Sequence, residues 1–157
     1  MRTSNVQIVM ASHVNGANRL FGGKLMEWID VAAAVEARRQ AHHDVTLAEV
    51  DALEFIAPVQ INDAVVLQAE VTWSGRTSME VRVEAYVEYL TGERKLVNRA
   101  YLVFVAIDGQ GVPVAVDPFV PQSPEEQAEW LGAENRRANR LSRRHANPGW
   151  SGRSEPG

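Results

Sequence analysis

Asp30 stands in the most apolar stretch of the chain: between Leu25 and Val35 only Glu27 and Asp30 are polar. If that stretch is helical, its neighbours one turn away are Met26, Ala33 and Ala34. A carboxylate in such surroundings is costly unless it is paired, neutralised or wet, and aspartate is also a poor residue for a helix interior. Three readings explain its presence: a general base or nucleophile, a salt bridge to an arginine, or a wet edge of the helix. Just upstream, Gly22-Gly23 opens the same stretch. Two glycines let a ligand approach the backbone closely, and the first N–H groups of a helix have no partners within it. Such an end stabilises a carbonyl oxygen gaining negative charge during acyl transfer; the plainer reading is a flexible turn. Asn15, in the loop before the glycines, has an amide able to orient a water or bind a carbonyl, and is equally a common turn residue.

Other chemistries find little support. His13 has no second histidine near it, and His42-His43 follow the end of the apolar stretch, where cations suit a helix C-terminus. No His/Asp/Glu spacing resembles a metal site, and neither a Gly-x-Ser-x-Gly elbow nor a phosphate-binding loop is present. With no cysteine, disulfide and zinc-thiolate frameworks are excluded.

The elements that must position these residues are legible in outline. Val6 to Ala11 reads as a first strand, followed by a polar Asn- and Gly-containing loop. The helix is expected from about Gly23 to Ala41, apolar around most of its circumference and therefore buried. After His42-His43-Asp44 the pattern changes to period two, with strands expected over Val45 to Phe55, Ala64 to Trp73, Met79 to Tyr89 and Leu96 to Ile107. Tight breaks such as Ser74-Gly75-Arg76, Thr91-Gly92-Glu93 and Asp108-Gly109-Gln110-Gly111 predict an antiparallel meander, and the class is α+β. Ser123-Pro124-Glu125-Glu126 is a helix start, continuing to about Arg144.

The chain has 157 residues, 45% apolar and 23% charged, which suits one globular domain. The expected organisation is a domain over 1–122, an appended helix over 123–145 and a disordered tail over 146–157. The first residues lack a signal-peptide pattern and no stretch is long and apolar enough for a membrane span, so a cytoplasmic protein is expected, without a membrane partner. A net charge of −4 argues against a general nucleic-acid binder. Arg136, Arg137, Arg140, Arg143 and Arg144 nevertheless crowd one late segment, read either as a solvated helix face or as positive potential for an anionic ligand.

His13-Val14-Asn15 through Phe21-Gly22-Gly23-Lys24-Leu25-Met26-Glu27-Trp28-Ile29-Asp30 resembles the signature of the hotdog-fold acyl-CoA thioester hydrolases. Gly75-Arg76-Thr77-Ser78-Met79-Glu80-Val81 is similar to that family's hairpin, and the likeness covers roughly residues 5 to 130. The resemblance implies a hotdog fold, an antiparallel β-sheet wrapped around a long central helix, here with an added C-terminal helix. It implies hydrolysis of acyl-CoA with Asp30 as base or nucleophile. Asn15 of the neighbouring subunit would hold the water or thioester, and the Gly22-Gly23 backbone would form the oxyanion site. Gly75, Arg76, Thr77 and Ser78 would lie along the coenzyme A arm, with Arg76 at its phosphates. No cofactor is implied, since coenzyme A is part of the substrate.

An open edge strand would pair across a two-fold axis, giving a homodimer at minimum; family members often form trimers of dimers, which makes a hexamer compatible. The acyl chain would run between subunits past Met26, Trp28 and Phe55. Two departures touch the loop: Asn18 stands where the family commonly has Gly, and His13 where Asp is frequent. Two rival readings remain. A non-catalytic acyl-CoA-binding module would hold its ligand intact. A hotdog dehydratase or hydratase would need a His paired with an acid, and the helix carries none.

Overall fold

A computed structural model describes residues 2–146. Residues 147–157, nearly all of the expected tail, lie outside the described residues. Five strands, β1 (Thr3–Ile8), β2 (Asp44–Phe55), β3 (Ala64–Ser74), β4 (Ser78–Glu88) and β5 (Arg94–Ile107), form one sheet in the order β1-β3-β4-β5-β2. All pairings are antiparallel. The helix α1 (Gly22–Ala41) lies against one face of this sheet, and α2 (Pro124–Ala146) against the other. The α+β wrapped-helix arrangement is therefore as expected.

The expected meander holds only for β3, β4 and β5. β2 sits at the far edge, beside β5, because its link to β3 is no hairpin: residues 56–63 contain Pro58 and run across the end of the sheet. Backbone bonds hold this crossing, with Ile56 and Ala57 N–H donating to Val97 O and Leu20 N–H donating to Val59 O. The first strand also begins earlier than the apolar pattern suggested, at Thr3 rather than Val6. It stops at Ile8, where Val9 turns into the core.

The core is the period-two face of β3 to β5 meeting the period-3.6 face of α1. Leu67, Val83, Leu102 and Phe104 pack with Ile29, Ala33 and Ala37, all at most 2% exposed. The alanines of α1 let its axis come close to the strands, which is why a helix this rich in alanine suits a sheet that curves around it. His42 ends α1 in the left-handed conformation (φ 55°), its N–H donating to Arg38 O. Asn18, also left-handed (φ 58°), adopts the conformation that a glycine would accept without cost.

The arginines of α2 are only in part a solvated face: Arg137, Arg143 and Arg144 are exposed, whereas Arg136 and Arg140 are turned to the sheet. The helix starts in a capping box, Ser123 Oγ accepting from Glu126 N–H while the Glu126 carboxylate accepts from Ser123 N–H. It then docks on the outer side of the sheet. Arg136 makes a two-pronged bond to Glu80, which is 2% exposed and also accepts from Thr72 Oγ1. Arg140 meets Asp51 at 2.8 Å, and Arg143 and Arg144 reach Glu49 and Asp51 beside it. Trp130 stacks with Phe119 and leans on Trp73. Acidic residues placed outward on β2 and β4 are thus the reason for the basic end of α2.

Gly75 is required where it stands. A Cβ there would come within 2.6 Å of Trp73 Cη2, and the Trp73 indole is tied to Glu134 through its N–H. Gly75→Ala is expected to destabilise the protein by about 1–3 kcal/mol, the range for overpacking, read as a lowered Tm. An unchanged Tm would mean that the indole shifts without cost.

Candidate active site

The residues singled out by their chemistry gather around α1, at two levels. The loop from Ser12 to Leu20 folds back on itself through Val14 and Leu20, and Phe21 N–H donates to His13 O. This brings Asn15 beside the first turn of α1. Its Oδ1 accepts from the N–H groups of Ala17 and Arg19 at 2.9 and 3.2 Å, an Asx turn. The turn reading of Asn15 is therefore true of its oxygen, while its NH2 group stays available as a donor. His13 is used by the loop as well: its Nδ1 accepts from Met10 N–H, and its ring sits edge-on to Trp28.

Phe21 precedes the helix with no side-chain cap, and the first helical bonds are those of Lys24 and Leu25 to Phe21 O. The N–H groups of Gly22 and Gly23 are thus free of the helix. Both glycines are exposed, and beside Gly22 lies a cleft of about 140 Å³ lined by Leu20, Leu25, Phe55, Ala57, Pro58 and Val59.

Asp30 is two turns further along α1, roughly 12 Å from Gly22 at 1.5 Å per residue. It is part-buried, and its Oδ1 is enclosed with no hydrogen-bond partner. Burial raises its pKa above the ordinary 3.8. No arginine pairs with it among the described residues, which removes the salt-bridge reading. At about 100° per residue Gly23, Met26, Asp30 and Ala34 share one flank of α1. Trp28, about 200° around from Met26, lies on the other flank, 6% exposed against His13. Of the three side chains expected along the acyl path, only Phe55 lines the cleft, and Trp28 is turned away from Asp30's flank.

Beyond that flank the sheet is open. The inward side chains of β2 face the same way as Phe104, Leu102, Ala100 and Asn98 of β5, yet Leu47, Val50, Leu53 and Phe55 are 36–56% exposed. An apolar, uncovered edge is the mark of a surface that pairs with another.

The hairpin Gly75–Ser78 is elsewhere. Gly75 N–H donates to Ser78 O, and Thr77 O accepts from Ala106 N–H. Ser78 is opposite Val105 on β5, seven residues from Asn98, the position opposite Phe55, and thus roughly 23 Å away at 3.3 Å per residue. One chain does not bring Gly75, Arg76, Thr77 and Ser78 together with Gly22, Gly23 and Asn15. Nor does it hydrogen-bond Asn15 to Asp30. A site that uses all of them draws on two subunits.

Asn98 was not foreseen. It is fully buried, with neither amide atom partnered. The available signal was the alternation of β5, in which Asn98 is the single polar residue of the inward set 98, 100, 102, 104 and 106. Among the described residues no three His, Asp or Glu side chains cluster as metal ligands, and no helix is long and apolar enough to cross a membrane.

The sequence profile of the thioesterase superfamily matches residues 17–90, which span α1, β2 and β3 and reach past the end of β4. The chain belongs to this superfamily, among its acyl-CoA thioester hydrolases. It is 44% identical over 113 residues to an uncharacterised acyl-CoA thioester hydrolase of Bacillus subtilis, covering 71% of this chain and 66% of that one. It is 32% identical over 146 residues to acyl-coenzyme A thioesterase 11 of Mus musculus, covering 92% of this chain. The chain spans only 25% of the mouse enzyme's length. Among solved structures, an acyl-CoA hydrolase of Staphylococcus aureus in complex with butyryl coenzyme A, coenzyme A and its disulfide superposes with a TM-score of 0.88. Identity there is 30%, over 94% of this chain and 90% of that one. The staphylococcal enzyme has also been solved with alanine in place of an aspartate, an asparagine or a threonine. An apo-hexameric acyl-CoA thioesterase matches with a TM-score of 0.86 and 37% identity, over 90% of this chain and 92% of that one.

Proposed function

We propose that this protein is an acyl-CoA thioester hydrolase whose site is completed between two copies of the chain. The observation that carries the reading is Asp30, a carboxylate with an enclosed, unpartnered oxygen on the flank of α1. Such a group is poised to take a proton from water or to attack a carbonyl carbon. The thioester carbonyl oxygen lies at the free N–H groups of Gly22 and Gly23 of the neighbouring subunit, since those of the same helix are too far from Asp30, and they receive its negative charge as the tetrahedral intermediate forms. The NH2 of Asn15, from the neighbouring subunit, donates to the water or the thioester. The bond to sulfur then breaks and coenzyme A leaves as its thiol. Support for pairing Asn15 with Asp30 comes from the staphylococcal enzyme: its substituted asparagine and aspartate are fifteen residues apart, as Asn15 and Asp30 are here.

The copies meet through β2. Its free edge and apolar inward side chains suit pairing across a two-fold axis, and related thioesterases are hexameric. Such pairing supplies the partner's Gly75–Ser78 hairpin to the coenzyme A arm, where Arg76, exposed and without an ion pair among the described residues, meets phosphate.

The direct test is free-thiol release from acyl-CoAs of graded chain length. Rapid release is expected; tight binding of intact acyl-CoA without release would make the protein a binding module. A second variant isolates Asn15. Asn15→Asp keeps the oxygen that caps Ala17 and Arg19 but removes the NH2 donor, and it is expected to lower kcat/KM by about 10²-fold with Tm preserved, the order for one lost oxyanion donor. Full activity in that variant would leave Asn15 a loop residue only.

A further inference from the structure

Among the described residues only two side chains bury a nitrogen or oxygen with no hydrogen-bond partner, Asp30 and Asn98. The proposed chemistry accounts for Asp30. Nothing in it accounts for Asn98, in which both ends of the amide are enclosed and unused. Its strand neighbours on the same face, Ala100 and Leu102, are apolar. An alanine or valine at position 98 would fill the same face without leaving a buried donor and acceptor unmet, so packing does not explain the asparagine.

Its location ties it to the substrate side. Asn98 is directly opposed to Phe55 on β2, and opposed residues share a face. The Phe55 ring is 3.7 Å from where a Cβ on Gly22 would be, and it walls the cleft at the start of α1. The carbonyl of the preceding residue, Val97, holds Ala57, a second wall of that cleft. Asn98 therefore lies behind Phe55, a wall of the cleft that Gly22 also lines. The Phe55 ring separates Asn98 from the cleft, and an occupant reaches the amide by displacing that ring.

We propose that Asn98 determines specificity, its amide hydrogen-bonding an oxygen carried on the acyl group, so that favoured substrates are short acyl-CoAs bearing a hydroxyl or keto oxygen. This rests on the thioesterase reading and deepens it. With the thioester carbonyl at Gly22-Gly23, the acyl chain points into the cleft of about 140 Å³. A cleft of that size suits a short acyl group. The amide offers both donors and an acceptor, so a hydroxyl can be met in either sense and a keto oxygen by the NH2. A buried polar group that a plain alkyl chain leaves unmet discriminates against that chain, more sharply than a change of one methylene does.

The experiment compares kcat/KM for butyryl-CoA with those for 3-hydroxybutyryl-CoA and 4-hydroxybutyryl-CoA, using wild type and Asn98→Leu, with Tm and oligomeric state recorded for each. Wild type is expected to favour at least one hydroxyacyl substrate by about tenfold or more, the worth of one hydrogen bond otherwise unmade. In Asn98→Leu the ratio is expected to fall to about one or below while Tm stays level or rises, a split that a purely structural asparagine would not produce. Equal rates for wild type overturn the proposal whether or not the variant folds, and so does a preference that survives in Asn98→Leu or, should that variant not fold, in Asn98→Thr. Absence of thiol release from every substrate is a different result, which removes the thioesterase reading and this inference with it.

Discussion

Asp30→Asn is expected to lower thiol release by about 10³-fold, within the range for a positioned general base, in a protein that melts no lower than wild type at neutral pH. The two halves of this result have one cause. Burial raises the pKa of Asp30, which means that the fold favours the neutral acid over the carboxylate. The stability this contributes is fully present below the ordinary value of 3.8 and is lost as pH rises through the raised folded value. At pH 7 the protein therefore carries an uncomfortable charge at Asp30, and a neutral asparagine of the same shape removes it. The gain in Tm should be small, because the side chain is only part-buried and water screens it. It should shrink as the pH is lowered toward 3.8, where wild type regains its proton. Activity runs the other way: only the carboxylate acts as base or nucleophile, so kcat should climb with pH through the raised pKa from the acid side. Melting curves and thiol-release rates across pH 4 to 8 for both proteins check the two trends together. An asparagine variant that stays active, or that melts well below wild type at every pH, would make Asp30 a structural residue.

Most of what positions this site is legible in the chain because it depends on local rules. The period-two strands, the alanine-rich helix and the capping box at Ser123 each announce themselves within a dozen residues, and the structure agrees to within one or two residues for most of them. What escaped depends on contacts between distant segments. The place of β2 at the far edge is set by which strand covers which, and a Pro-containing link of eight residues does not say whether it turns back or crosses. The arginines of α2 look like a solvated stripe until Glu49, Asp51 and Glu80 are found opposite them, between 56 and 95 residues earlier. Trp28 looked like a tunnel residue because it is aromatic and near Asp30 in sequence, but a two-residue step on a helix turns to the opposite flank. Asp30 itself was readable as an anomaly, a charge where the pattern wanted none. Asn98 was an anomaly of the same kind on a strand, less conspicuous because an isolated polar residue among alternating ones is easily assigned to the wrong face.

Arg140→Ala is expected to destabilise the protein by about 2–3 kcal/mol, at or just below the lower limit of the range for breaking a buried ion pair. Arg140 is 8% and Asp51 3% exposed by side chain, so removing the arginine strands a carboxylate that water does not reach. Arg143, at 3.2 Å from the other oxygen of Asp51, takes up part of the loss, which is why the full cost is not reached. For a chain of this length that corresponds to a fall in Tm of about 4–12 °C, compared at one protein concentration because an oligomer's Tm depends on it. The pair is costly to break but need not be worth much when intact, since its attraction only repays the desolvation of both ions. Asp51→Leu combined with Arg140→Met should therefore recover most of the loss of either single change, and a double-mutant cycle measures the coupling. Singles within about 0.5 kcal/mol of wild type would mean that the pair is solvated and that α2 is held by its aromatic contacts. The consequence reaches the site through β2. This strand is bulged between Leu47 and Glu49 and again between Val50 and Ala52, and α2 grips Glu49 and Asp51 between and within those bulges. The bulges set the spacing of Leu47, Val50 and Leu53 on the opposite, inward side. Loosening the grip of α2 should therefore change the shape of the apolar edge through which we propose that two copies pair, and on that proposal the Arg140→Ala oligomer should dissociate at a higher protein concentration than wild type.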